Sequence, residues 1–220
     1  MANYDYESNL EASTQEEADT LMILYAVSAL AAGLQVHIYS QDTDVLLLAL
    51  RQVPLLSAGA AMIMGTGEHR QKVFLRPIFD SLGPTKSSAL INWQSLTGCD
   101  TTGHIYSKGK KGCFNLFLKA DSAVLQAILN LGLGDKPSAD VEKGCEEFLC
   151  SLFCPQGENI IKAGKLRWYL FKKLKSDHSV DKLPPTPGAW KEHIKRAHWQ
   201  ANVWHQDVEL HPKCLDLLTL

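Results

Sequence analysis

Leu34-Gln35-Val36-His37-Ile38-Tyr39-Ser40 runs without a break into Gln41-Asp42-Thr43-Asp44, and that join decides how the chain is read. The first seven residues alternate and are rich in β-formers, which predicts a strand. Two acids stand at its carboxyl end. Open α/β sheets place their sites outside the carboxyl ends of strands, and carboxylates two residues apart point the same way while the chain stays extended. A cation relieves their repulsion. Mg²⁺ is a hard ion that takes carboxylate oxygens and keeps part of its hydration, so the pair suits a half-site for it. The plainer alternative is a solvated turn with an aspartate capping a helix.

Upstream, Ser13-x-x-Glu16 and Thr14-x-x-Glu17 offer two overlapping capping boxes, which predict a helix start near Thr14. The apolar stretch Leu21–Ala32 continues that helix to a stop at Gly33. Glu17 and Asp19 add carboxylates at the helix start, where acids are also favourable for the helix itself. They address one site only if the first turn is irregular. Downstream, 45–50 is a short apolar segment. Two further strands are expected at 60–64 and 72–78, joined by Gly65-Thr66-Gly67-Glu68 as a hairpin turn. Helices are expected over 87–96, 113–118 and 121–131. Asp100 lies between a helix and a glycine–lysine turn.

The 220 residues, 45% of them apolar, describe a globular chain with a core. No apolar run has bilayer length, and the acidic N-terminus lacks the basic start of a secretory signal. An intracellular, nuclear protein with no membrane partner is expected. Cys145-x4-Cys150-x3-Cys154 fits no common finger, so no zinc is expected. Charge is uneven. Residues 1–50 hold eight acids and no Lys or Arg, whereas 160–200 hold ten bases against three acids. One part suits cations and another suits phosphate.

Taken in order, Glu17-Ala18-Asp19, Ser40-Gln41-Asp42-Thr43-Asp44 and Leu96-Thr97-Gly98-Cys99-Asp100 resemble three metal-binding motifs of the flap-endonuclease and XPG-like (PIN-like) nucleases. His104 to Gly112 resembles that family's helix-two-turn-helix, with Ser107 where a glycine is usual. The wording is also similar to uncharacterised, transposon-derived PIN-like proteins of animal genomes. The resemblance implies a partial PIN-like α/β domain over 13–135 with a parallel sheet. Its helix-two-turn-helix would span about 100–131, after a disordered lead-in over 1–12. It implies two-metal hydrolysis of structured nucleic acid, DNA in preference to RNA, with two Mg²⁺ (Mn²⁺ as substitute) about 4 Å apart. Asp42, Asp44 and Asp100 would be catalytic, and Glu17 and Asp19 further metal ligands. Lys108, Gly109, Lys110, Lys111 and Gly112 would hold a phosphate. The family's first strand and its acids have no counterpart in residues 1–12. The expectation is therefore a fragment, a sheet completed by another chain, or an inactive nucleic-acid-binding or scaffold protein on the same fold.

The remainder, 136–220, is read as an α-helical basic appendage with a proline-rich break at 183–188. Helical periodicity covers 141–153, 160–175 and 189–207. The bases of the last two suit phosphate. Their aromatics are read as packing inward, with base stacking as the alternative.

Overall fold

A computed structural model describes residues 13–174 and 177–213; the expected lead-in over 1–12 lies outside them. The described residues form a mixed α/β protein of nine α-helices and one three-stranded sheet. Every strand precedes residue 75, and only helices follow, as the change of texture predicts. The described residues pack as two units, one of 13–87 with 206–213 and one of 88–205.

In the first unit, helix α1 spans Ala18–Ala31 and ends against Gly33, whose φ is 81°. It starts four residues later than the capping boxes suggest. Ser13 Oγ and the Thr14 N–H both donate to the Leu210 carbonyl, at 3.1 and 3.0 Å, so these residues bind a distant segment instead of capping a helix. Gln15 Nε2 donates to the carbonyls of Gln206 and Glu209 in the same way. Strand β1, His37–Tyr39, follows α1, and helix α2, Thr43–Arg51, takes up the apolar segment after it. Strands β2, Ala61–Met64, and β3, Gln71–Phe74, form the expected hairpin. The chain then turns helical as α3, Leu75–Leu82, where a longer strand was expected. Leu75 is fully buried at that change of direction.

The sheet is mixed, a correction to the parallel sheet expected. β1 pairs parallel with β2, and β2 pairs antiparallel with β3. Ile23, Val45, Leu48, Met62 and Leu75 are buried completely. Asp207 is buried beside them. It accepts from Arg51 Nη1 at 2.9 Å and Gln52 Nε2 at 2.8 Å. Burial nevertheless pushes its carboxyl up to about 6, with Arg51 and Gln52 opposing.

Helix α4, Pro84–Thr97, opens the second unit. It is followed by α5, Lys110–Leu118, α6, Ser122–Leu129, α7, Ala139–Ser151, α8, Ala163–Lys172, and α9, Pro187–His205. The proline-rich break thus supplies the first helical residue of α9, a position where a missing N–H costs nothing. Asp121 caps α6 through the N–H groups of Ala123 and Val124. Gly144 lets α7 approach α6 closely, since a Cβ there would lie 2.3 Å from the Ala127 methyl. Buried Asn92 reaches the carbonyls of Ile128, Leu129 and Leu131 with its amide nitrogen, closing the end of α6. Buried His198 accepts from the Gly132 N–H at Nδ1 and donates from Nε2 to the Gly134 carbonyl, which fixes the neutral tautomer. No single described helix is long and apolar enough to cross a membrane.

Candidate metal centre and nucleic-acid interface

The strand-to-helix join at 40–44 is tighter than an extended pair of acids requires. Asp42 is the N-cap of α2, and its Oδ1 accepts from the Asp44 N–H at 2.8 Å. Its own N–H donates to Ser40 Oγ at 3.0 Å. The chain is helical from Thr43, so the two carboxylates do not share an extended strand face. Asp42 is exposed and Asp44 is buried. The cap that accounts for Asp42 on structural grounds is therefore present. Beside it, Gln41 Nε2 donates to the Gly65 carbonyl and the Gly65 N–H donates to Gln41 Oε1 at 2.7 Å. This two-way bond pins the end of β1 to the end of β2. Only glycine fits at 65, where φ is 81° and a Cβ would lie 2.2 Å from the His69 carbonyl oxygen.

Glu17 is the N-cap of α1 with extended backbone (φ −87°, ψ 123°), and Asp19 sits in the first turn. The two therefore straddle the helix start, with a regular first turn beginning at Ala18. Helix α1 packs on both β1 and α2. Glu17 and Asp19 stand at the start of α1, and Asp42 and Asp44 follow the end of β1. Their oxygens are the donor chemistry Mg²⁺ takes, and one or two carboxylates suffice when the ion keeps its waters. Among the described residues, however, no three His, Cys, Asp or Glu side chains gather as a ligand set.

Asp100 belongs to the second unit. It is exposed at the tip of a turn that closes α4. The Cys99 N–H donates to the Thr102 carbonyl and hydroxyl, both at 3.1 Å, and Thr102 Oγ1 donates to the Ser95 carbonyl at 2.7 Å. Thr101 Oγ1 donates to Gln200 Oε1 at 2.6 Å, so the turn is held on both sides.

The glycine–lysine turn leads into α5, whose N-cap, Gly109, makes no side-chain cap bond. Ser107, at φ 61°, is the one non-glycine residue with positive φ among the described residues. The three lysines do different things. Lys111 is exposed, as are Gly109 and Gly112. Lys108 is half-buried with Nζ 4.4 Å from the centre of the Phe153 ring, and burial lowers its pKa. Lys110 turns inward: Nζ donates to Gln94 Oε1 at 2.7 Å and Thr97 Oγ1 at 2.8 Å and lies over the Trp93 ring. Its charge sits at the carboxyl end of α4, where the helix dipole favours a cation. Sequence spacing gave no sign of this role, nor of the Gln41–Gly65 bracket.

The cysteines considered for zinc are free among the described residues. Burial pushes the Cys145 and Cys150 thiols up to about 12. Comparison of the chain with protein-family models, with curated proteins and with solved structures returns no match.

Proposed function

We propose that this chain acts on structured nucleic acid as a flap-endonuclease-like (PIN-like) hydrolase, with Mg²⁺ at the acidic end of the first unit and a phosphate at the start of α5. What supports this reading is the concentration of acids, Glu17, Asp19, Asp42 and Asp44 among them, within fifty residues that hold no Lys or Arg. Acids so placed repel unless a cation joins them. When bound, the ion supplies a water of lowered pKa and stabilises charge on the leaving oxygen. Asp42 and Asp44 would hold it directly, while Glu17 and Asp19 would act directly or through water.

Lys108, Lys111 and the Gly109 N–H would position a phosphate, whereas the Gly112 N–H donates to the Gly109 carbonyl at 3.0 Å. The left-handed Ser107 supports this part, because it adopts the backbone of the glycine usual in that turn. Lys110 would serve it indirectly by fixing the start of α5 to α4. DNA is the preferred substrate and the nucleus the expected location. A further strand, from this polypeptide or another, would pair with the edge of β1 that β2 does not occupy.

A second reading, a non-catalytic nucleic-acid-binding protein on the same fold, is favoured by the capping bond that already engages Asp42. The test is cleavage of flap, bubble and hairpin DNA with Mg²⁺ or Mn²⁺ by wild type and Asp42→Asn. Metal-dependent cleavage that falls by roughly a hundredfold or more in the variant is expected. Cleavage unchanged in the variant excludes the mechanism. Binding of the same DNA without cleavage by either protein selects the second reading.

A further inference from the structure

The chain has five tryptophans, and their surroundings differ. Trp93, Trp190 and Trp204 are at most 5% exposed, whereas Trp168 on α8 is 59% exposed and Phe171, one turn further, is 49% exposed. The Trp168 and Phe171 rings stack, with centroids 5.7 Å apart and planes 19° from parallel. Aromatic rings offer more burial than any other side chain. A pair already stacked and left in water on one helix face is an interaction patch, not a scattered apolar residue.

The segment around the pair is basic, with Glu158 at its edge accepting from the Tyr169 hydroxyl. Residues 159–176 hold six bases and no acid. Three of the six are engaged: Lys162 with Glu146 at 2.9 Å, Arg167 with the Pro184 carbonyl, and Lys173 with the Tyr169 hydroxyl. Lys165 and Lys172 are exposed, and Lys172 Nζ lies 5.7 Å from the Trp168 ring centre. Residues 165, 168, 171 and 172 share one helix face, with a lysine at either end and the rings between.

We propose that this face of α8 binds single-stranded nucleic acid, with Trp168 and Phe171 as the platform on which bases stack and Lys165 and Lys172 on the flanking phosphates. Stacking on aromatics inside a basic groove is how strands are held regardless of sequence. The chemistry favours a strand over a lipid surface. Leu166 is buried and Leu170 half-buried on the inner side of α8, which leaves the face two rings wide, not the broad apolar stripe of a helix lying in a bilayer surface. The proposal rests on nucleic acid being the ligand class proposed above, but it uses none of the carboxylates.

The test is fluorescence anisotropy of a labelled oligothymidylate with the full chain in EDTA, repeated with a duplex and with phosphatidylserine vesicles. Trp168→Ala is expected to weaken strand binding roughly 5- to 100-fold. Trp168→Phe should keep most of the affinity, and Trp168→Leu, apolar but not flat, should lose it. Each of Lys165→Gln and Lys172→Gln should flatten the salt dependence by about 0.7 in slope. No binding of the strand overturns the proposal, as does affinity unchanged in Trp168→Ala. Trp168-dependent binding to vesicles or duplex but not to the strand also overturns it. Because no metal is present, this result is independent of the cleavage assay. Binding without cleavage sinks the hydrolase reading alone, and cleavage without Trp168-dependent binding sinks this one alone.

Discussion

Helices α8 and α9 look alike as sequence, since both mix lysines and arginines with aromatic rings, yet they make opposite use of those rings. α9 buries Trp190, Ile194, Ala197, Ala201 and Trp204, a stripe advancing in steps of four and three residues that forms a helical seam. α8 buries only Ala163 and Leu166, and Trp168 and Phe171 fall off that line. A ring is buried or displayed according to its phase relative to the apolar stripe, not according to composition. The inward packing expected of the aromatics therefore holds for Trp190 and Trp204 and fails for Trp168 and Phe171.

Six substitutions test the contrast, beginning with the largest effect. Trp204→Ala should destabilise the protein by about 3–5 kcal/mol, by loss of transfer energy and creation of a cavity. Chemical denaturation measures this, and a loss below 1 kcal/mol would break the comparison. His198→Ala should cost roughly 1–3 kcal/mol, because it leaves the buried Gly132 N–H unpaired.

His198 also sets a pH dependence. Burial lowers its pKa, with the bond to Gly134 opposing, and His193 is lowered by burial too. The unfolded chain takes up protons near pH 6.5 that the fold refuses, so the melting temperature should drop as pH falls through about 6.5. That slope should be shallower in His198→Ala, with His193 supplying the remainder. It is best measured above about pH 6, because Asp207 acts in the opposite sense lower down. Its raised pKa favours the fold in acid, and that contribution disappears as pH rises from about 4 to about 6.

On α8, Trp168→Ala and Phe171→Ala should each change stability by no more than about 0.5 kcal/mol. A loss comparable to that of Trp204→Ala would mean that α8 is a core helix. The smallest effect is spectroscopic. Trp168→Phe should remove the tryptophan emission most readily quenched by acrylamide, while Trp204→Phe should leave that component in place.

The elements that local chemistry determines were legible in the sequence. Gly33 stops α1, Asp121 caps α6, and the glycines at 65–67 join two strands, each through a preference a few residues long. What escaped was set at a distance. Ser13 and Thr14 carry an ordinary capping signature, but their donors go to Leu210, almost two hundred residues away. Lys110 sits in a run of solvent-seeming bases and bonds the end of α4. Of the candidate site, the acids at the ends of β1 and α1 could be found from position alone. The capping bond of Asp42 could be anticipated only as an alternative, because an aspartate after a strand serves a cap and a cation equally well.

Ser13–Gln15 meeting residues 206–210 has a consequence for the order of events during synthesis. The first unit is interrupted by residues 88–205 and needs Asp207 and Leu210 to complete its bonding. Synthesis proceeds from the N-terminus, and domains fold as units once their residues are available. The contiguous stretch 88–205 therefore emerges in full while the older segment still waits for its last piece. The part of the chain made first thus waits for residue 210 before its bonding is complete.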